Sequence, residues 1–154
     1  TPKDTWEKIK LEEKQNKKNQ FNSILDDIPN NLPPLLKSYK VQQKVSLINF
    51  DWKNYLGPLK KVEEELIEVK KSLQINNNLE KVEEEIGDLL FSVVNLVRHL
   101  ELNPDIVVEK SIKKFKNRFL NIEKTLQKNN IKINSKNIHQ LWKDAKIKED
   151  LNNE

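Results

Sequence analysis

The sequence predicts an all-α fold, an antiparallel bundle of helices joined by short loops. In three successive stretches the apolar residues recur at alternating steps of three and four, which is the spacing of an amphipathic helix. Clusters of Asn and Pro separate these stretches and mark turns. No segment shows the strict apolar and polar alternation of a strand, and 154 residues suit one domain.

The first part of the chain is predicted to contain two helices joined by a linker. The first helix runs from Thr5 to about Lys18, and the Pro- and Asx-rich residues 26–34 that follow indicate turns. Apolar positions at near-helical spacing then predict a second helix over residues 34–48. Residues 1–33 are therefore interpreted as an N-terminal helix and a Pro/Asn-rich linker.

Three longer helices complete the predicted helical core. The first starts near Pro58, and its seam is formed by Leu59, Val62, Leu66, Val69 and Leu73. Asn residues 76–78 predict a turn before a helix over residues 79–101. An Asn-Pro pair predicts the N-cap and first turn of a third helix over residues 104–128.

Residues 34–128 are thus predicted as a helical catalytic core. Residues 129–154 are predicted as a short helix starting at Ser135 and a polar, frayed tail. The chain contains no methionine, so position 1 is not an initiator and we expect a trimmed or partial chain.

Composition excludes several classes of protein. The absence of cysteine excludes disulfides, thiolate metal sites and cysteine nucleophiles, and it favours a cytoplasmic protein. Two glycines are too few for a glycine-rich phosphate loop, and no apolar run approaches the roughly 20 residues of a membrane span. The net charge of +4 comes from both signs alternating along the same helices, which argues against a nucleic-acid partner.

A stripe of polar side chains marks the predicted helix 79–101, which is otherwise apolar almost all round and so predicted to be buried. The stripe consists of Glu85, Asp88, Ser92, Asn95 and His99. The preceding helix carries Glu65 and Glu68 at the same i, i+3 spacing, and antiparallel packing would bring the four carboxylates together. Because converging carboxylates repel one another, a cation is expected among them, and oxygen-only ligands favour Mg²⁺ or Mn²⁺.

The alternative interpretation of these acidic residues is a solvated surface, which suits the Glu runs 63–65 and 83–85. Asp88 fits that alternative less well, because it lies among apolar residues and has no Lys at i±4. The neighbouring Gly87 costs the helix about 1 kcal/mol relative to Ala, which indicates the close approach of another backbone or a ligand. His99 receives no role.

Two basic residues one turn apart, Lys114 and Arg118, lie at the edge of the predicted helix 104–128. A Lys point charge and an Arg fork are a usual pair for polyphosphate oxygens. The alternative for both side chains is a solvated outer face of the bundle.

The sequence Glu65-Leu-Ile-Glu68, followed after sixteen residues by Glu85-Ile-Gly-Asp88, resembles the E-x-x-E … E-x-x-D signature of the MazG family of nucleoside triphosphate pyrophosphohydrolases. Other stretches in the same order resemble the family's C-terminal catalytic domain, so the resemblance covers nearly the whole chain; they include Trp6-Glu-Lys-Ile-Lys10, Phe50-Asp51-Trp52, Val94-Asn95-Leu-Val-Arg98-His99 and Leu141-Trp142-Lys143. Asp27 and Asn49 stand where the family commonly has Gly, and both residue types tolerate the left-handed conformation.

The resemblance implies Mg²⁺-dependent hydrolysis of nucleoside triphosphates, with a broad base range, to the monophosphate and pyrophosphate. It assigns the metal and the catalytic proton to Glu65, Glu68, Glu85 and Asp88, the triphosphate to Lys61, Lys81, Lys114 and Arg118, and stacking on the base to Trp142. It also implies that longer members carry a second, N-terminal copy of the domain, of which only the trailing linker is present here.

A homodimer is expected as well, because the family's bundles are dimeric and a helix apolar on almost every face needs additional cover. Ile67 and Phe91, which lie off the main seams, are predicted to face the second subunit. Three alternatives stay open: a helical interaction module without activity, a pyrophosphohydrolase of a narrower nucleotide substrate and, least favoured, a nucleic-acid binder.

Overall fold

The structure, a computed structural model, describes residues 1–75 and 78–153. Six α-helices account for most of them, and no strand occurs within these ranges, which confirms the all-α prediction. The helices are α1 (Pro2–Asn19), α2 (Pro34–Ser46), α3 (Leu56–Gln74), α4 (Leu79–His99), α5 (Pro104–Lys128) and α6 (Ser135–Asn152). No helix in the described part of the chain is long and apolar enough to span a membrane.

Local sequence signals set the helix boundaries. The Asn103 side chain caps α5 by accepting from the backbone N–H groups of Asp105 and Ile106. Asn78 caps α4 in the same way, whereas residues 76 and 77 of the predicted Asn turn lie outside the described residues. Asn49 has a left-handed φ of 63°, as expected for an Asx residue at a position that favours Gly.

The first compact unit comprises Thr1–Glu101, and its centre is the pair formed by α3 and α4, with α2 packed against α4. Val69 and Ser72 of α3 are buried, as are Glu85, Ser92 and Val94 of α4. A buried carboxylate among these residues is unusual, because desolvation disfavours its charged form. The core of this unit therefore lies next to an ionised group that needs partners.

The second compact unit comprises Leu102–Glu154, in which α5 packs against α6. Ile122 and Leu126 are its buried apolar residues. The ring centroids of Phe115 and Trp142 lie 4.8 Å apart and join the two helices near the middle of α6.

The predicted short C-terminal helix is wrong in its length, because α6 has 18 residues and continues to Asn152. A capping box between Asn134 and Asn137 starts the helix. Near its other end Glu149 accepts two hydrogen bonds from Arg118 of α5, which holds the last turns in place. That contact joins residues far apart in the sequence, so local pattern could not indicate it.

The close approach of another backbone, one of the two alternatives for Gly87, does not occur among the described residues, and the approach of a ligand stays a prediction. A Cβ atom built on Gly87 would meet no heavy atom within 4 Å. The other glycine, Gly57, is the crowded one, because a Cβ atom there would lie 2.5 Å from the nearest carbon of the Trp52 ring. Among the described residues, the surrounding atoms therefore require glycine at the start of α3, at Gly57.

Candidate active site

Three carboxylates converge where α3 packs against α4. Glu65 of α3 and Glu85 and Asp88 of α4 each offer an oxygen atom, and these atoms lie within 4.8 Å of one another. The Glu65 and Glu85 side chains are only 12% and 9% exposed, whereas Asp88 is open to solvent. Helical periodicity explains the geometry, because residues 85 and 88 share a face of α4 and Glu65 shares its face with the buried Val69. These residues, here called the carboxylate cluster, could hold a metal ion.

Two lysines partly neutralise the carboxylate cluster from one turn earlier on each helix. Lys61 Nζ lies 3.0 Å from Glu65 Oε1, and Lys81 Nζ lies 2.9 Å from Glu85 Oε1. Hydrogen bonding to Glu65 raises the pKa of Lys61 above its usual range, and hydrogen bonding to Glu85 does the same for the pKa of Lys81. Both ammonium groups thus stay charged at neutral pH. Among the described residues, no lysine or arginine nitrogen forms such a pair with Asp88.

Glu68, the fourth predicted carboxylate, is not part of the carboxylate cluster. It is 48% exposed, and Lys71 Nζ lies 3.5 Å from its Oε1 atom. Glu85 and Asp88 have the same i, i+3 spacing and both belong to the carboxylate cluster, so the spacing alone does not exclude Glu68. The Glu68 carboxylate is instead paired with Lys71 at the exposed surface of α3.

A cavity of about 650 Å³ adjoins the carboxylate cluster. Glu65, Asp88 and Lys61 line it on one side. Ser92 and Asn95, from the predicted polar stripe, continue the same wall along α4. Three members of the stripe, Asp88, Ser92 and Asn95, thus form one wall of this cavity. Phe91, predicted to face a second subunit, also lines this cavity.

Residues 49–52, which precede α3, form another wall of the cavity. Two residues of α4, Arg98 and His99, bind this segment, and neither was assigned a role from the sequence. Arg98 donates from Nη2 to Asp51 Oδ1 at 2.6 Å and from Nη1 to Asp51 Oδ2 at 3.2 Å. Its Nε donates to Asn95 Oδ1 at 3.0 Å. The hydrogen bond from Arg98 holds the pKa of the Asp51 carboxyl below its usual range. His99 Nε2 donates to the backbone carbonyl of Trp52 at 2.9 Å.

These contacts from Arg98 to Asp51 and from His99 to Trp52 are here called the clamp. The sequence singled out both of its halves, because Phe50-Asp51-Trp52 and the Asn95 to His99 stretch belong to the family resemblance. Nothing in their spacing indicates pairing, since the partners lie 47 residues apart. Only packing of the 50–52 segment on the end of α4 reveals the contact.

The remaining predicted substrate-binding residues belong to the second compact unit. Arg118 forms a two-bond ion pair with Glu149, with Nε 3.1 Å from Oε1 and Nη2 2.5 Å from Oε2. The Arg118 guanidinium also lies 4.9 Å from the centroid of the Trp142 ring. Lys114 is close enough for its charge to lower the pKa of Glu149, although Arg118 is the main cause. The structure thus places Arg118 next to both Glu149 and Trp142, with Lys114 near the same carboxylate.

Residues 55–135 match the MazG nucleotide pyrophosphohydrolase domain family. The chain is similar to a nucleoside triphosphate pyrophosphohydrolase of Escherichia coli (strain K12), with 38% identity over 149 residues, which is 94% of this chain and 56% of the relative. It is also 37% identical over 144 residues to the nucleoside triphosphate pyrophosphohydrolase/pyrophosphatase MazG of Thermotoga maritima, which is 92% of this chain and 54% of that relative. The chain therefore spans about half the length of these relatives. Since the family match extends over more than half of the chain and contains the carboxylate cluster, this chain belongs to the MazG nucleotide pyrophosphohydrolase domain family.

Proposed function

We propose that this chain hydrolyses the bond between the α- and β-phosphates of nucleoside triphosphates in the cytoplasmic nucleotide pool, releasing the nucleoside monophosphate and pyrophosphate. The observation that carries the proposal is the convergence of Glu65, Glu85 and Asp88 at one side of a cavity of about 650 Å³. A cavity of this size is within the usual range for small-molecule sites, which is roughly 300–1,000 Å³. The names of the two similar enzymes support the same reaction.

The carboxylate cluster fits a hard divalent cation, and we propose Mg²⁺, with Mn²⁺ as its substitute. Its three ligand atoms are all carboxylate oxygens that lie within 4.8 Å of one another. Mg²⁺ is usually held by one or two protein carboxylates together with substrate phosphates and water, so three converging carboxylates suffice. When bound, the ion supplies polarisation of phosphoryl oxygens and a lower pKa for a coordinated water.

Glu68 remains a predicted ligand. Its ion pair with Lys71 joins side chains that are 48% and 64% exposed, and such pairs are weak. The side chain is therefore free to turn toward the carboxylate cluster when a cation and a phosphate add charge there. One of the four carboxylates is proposed to accept the proton of the attacking water.

The basic residues are proposed to hold the triphosphate. Lys61 lines the cavity, and its ammonium group can leave Glu65 to bind a phosphate oxygen of the substrate. Lys81 offsets the charge of Glu85, with which it is paired. Lys114 and Arg118 are proposed to bind phosphate as well, with Trp142 stacking on the base. Stacking does not discriminate between bases, which suits a broad substrate range.

We further propose that the chain forms a homodimer through the outer side of α3 and α4. Two stripes with a seven-residue spacing lie exposed there: Leu59, Leu66 and Leu73 on α3, and Ile86 and Val93 on α4 followed by its C-cap residue Leu100. Each of these side chains is more than a third exposed. Exposed apolar patches of this kind mark interaction surfaces, and heptad stripes on two packed helices suit an identical pair in a second copy.

The test is pyrophosphate release from a panel of ribo- and deoxynucleoside triphosphates with Mg²⁺, and with EDTA as the control. We expect monophosphate and pyrophosphate in equal amounts, and no turnover with EDTA. Release of inorganic phosphate without pyrophosphate, or a folded protein with no turnover on any member of the panel, would contradict the proposal. The rates across the panel measure the base range directly.

A further inference from the structure

One buried polar atom in the described part of the chain has no hydrogen-bond partner, and it belongs to a side chain that lines the cavity. The atom is Oε1 of Gln42 on α2. Gln42 is only 6% exposed, so solvent does not reach it from outside. The other end of the same amide is occupied, because Nε2 donates to the backbone carbonyl of Phe91 on α4 at 2.8 Å.

The orientation of this amide is determined by chemistry. A backbone carbonyl can only accept, so the NH₂ group of Gln42 must face Phe91 and the oxygen must take the other direction. An unsatisfied buried acceptor costs about 1–3 kcal/mol, and native structures nearly always satisfy such atoms. A donor from outside the chain therefore explains the position of Oε1 better than a permanently orphaned atom.

The surroundings of Gln42 suit a flat, partly apolar ligand. Val41, Val45 and Phe91 line the same cavity and offer apolar surface next to the amide. Asp88 and Glu65, at which the phosphates are proposed to bind, line it as well. A nucleoside triphosphate would thus have its polar tail at the carboxylates and its base among the apolar walls, which is the usual division of a ligand site.

We infer that Gln42 is a specificity-determining residue, whose Oε1 accepts a hydrogen bond from the exocyclic amino group of a bound nucleobase; this inference rests on the proposed function. Gln42 presents Oε1 as an unpaired acceptor, whereas its NH₂ group donates one N–H to the Phe91 carbonyl. The exocyclic amino groups of adenine and cytosine donate an N–H, whereas uracil and thymine carry a carbonyl oxygen in place of the amino group of cytosine, and a carbonyl oxygen can only accept. The result is a preference for amino-bearing bases within a broad range.

A pair of ligands that differ only in the amino group tests this inference. Binding of the non-hydrolysable α,β-methylene triphosphates of adenosine and of purine riboside to the full chain with Mg²⁺ is measured by calorimetry. We expect the wild-type chain to bind the adenosine analogue roughly tenfold more tightly, as one hydrogen bond predicts. Gln42→Leu should bind both analogues equally. Gln43→Leu, the same change at the neighbouring exposed position of α2, should keep the wild-type ratio.

Equal affinities of the wild-type chain for the two analogues, or no binding of either, would overturn the inference. Because these measurements need only the wild-type chain, they test the inference even if Gln42→Leu does not fold. An equal loss for both analogues in Gln42→Leu would also overturn it, because a water molecule or a packing role would act on both alike. Pyrophosphate release from ATP is measured on the same samples. If the wild-type chain binds the adenosine analogue more tightly than the purine riboside analogue but does not hydrolyse ATP, the proposed function is contradicted and the inference about Gln42 stands.

Discussion

Arg98 and Asp51 form a two-bond ion pair that ties the segment before α3 to the last turns of α4. The Arg98 side chain is 10% exposed and the Asp51 side chain is 27% exposed, so the arginine is the better shielded of the two. Because Arg98 and Asp51 both line the cavity, this pair keeps one of its walls in place. A planar guanidinium opposite a carboxylate is the strongest common form of a charged hydrogen-bonded pair.

Replacing Asp51 with Asn should lower the free energy of unfolding at pH 7 by about 1.5 kcal/mol, the scale of a hydrogen bond to a charged group. Arg98 depresses the pKa of Asp51 in the folded state. The stabilisation is therefore present above the ordinary Asp pKa of about 3.9 and is lost as the pH falls through the folded-state value. Urea unfolding of both chains from pH 7 down to pH 3 should show the difference shrinking. Asp144→Asn, at an exposed position of α6, is the control, and a difference that does not change with pH would contradict the assignment.

The two glycines should respond to alanine in opposite ways. At Gly57 an added Cβ would lie 2.5 to 2.9 Å from three carbons of the Trp52 ring, so the ring must move. We expect Gly57→Ala to cost about 1–3 kcal/mol of stability, as overpacking does. Gly87 lies inside α4 with nothing near its added Cβ, so Gly87→Ala should stabilise the chain by about 0.5–1 kcal/mol. Chemical denaturation of the two variants measures both effects, and stabilisation by Gly57→Ala would contradict the structure.

Removing one charge from the carboxylate cluster should abolish both the activity and the stabilisation of the fold that we expect Mg²⁺ to provide. Asp88→Asn keeps the size of the side chain, and we expect pyrophosphate release to fall at least about 100-fold, together with loss of the rise in Tm that Mg²⁺ produces in the parent chain. Glu83→Gln, on the exposed face of the same helix, should change neither. Glu68→Gln should cause a smaller fall than Asp88→Asn, because Glu68 lies outside the cluster. Equal losses for Glu68 and Asp88 would show that Glu68 joins the metal site.

Glu149 pairs with the guanidinium group of Arg118, which is proposed to bind phosphate. Its carboxylate takes both outer hydrogen bonds of Arg118, as a phosphate would. We therefore expect Glu149→Gln to lower KM for nucleoside triphosphates with little change in kcat. Steady-state pyrophosphate release gives both parameters, with Asp144→Asn as a control on the same helix. An increase in KM would mean that the Arg118–Glu149 pair positions the site instead of competing with substrate.

A charge on the exposed heptad stripes should prevent dimer formation. Leu66 is 43% exposed in the chain, so Leu66→Lys should be tolerated by the isolated fold. In a dimer the ammonium group would lack water and a partner, which is costly. Light scattering at low micromolar concentration should report a dimer for the parent chain and a monomer for the variant. Leu47→Lys, at a more exposed position at the end of α2, should leave the dimer intact, and a monomeric parent chain would contradict the proposed interface.

Most of the fold was predictable from local sequence. The steps of three and four in α3, α4 and α5, and the Asn-Pro pair before α5, placed these helices within two residues of their observed ends. Helix periodicity together with antiparallel packing predicted that Glu65, Glu68, Glu85 and Asp88 would meet, and the structure brings Glu65, Glu85 and Asp88 together. These predictions succeed because backbone hydrogen bonding, capping and side-chain direction depend on residues within about four positions of one another.

The sequence by itself therefore determined the helices and the place of the acidic motif on them, whereas apolar residues of the predicted seams, such as Leu66 and Ile86, are exposed in the structure. Tertiary packing decided that Arg98 pairs with Asp51 and that the Gln42 amide lies against Phe91 with its oxygen unpaired. It also decided the length of α6, through the pair between Arg118 and Glu149. Each of these long-range contacts joins residues more than 30 positions apart. Their geometry depends on how whole helices are oriented and on which side chains compete for the same partner, and no local periodicity contains that information.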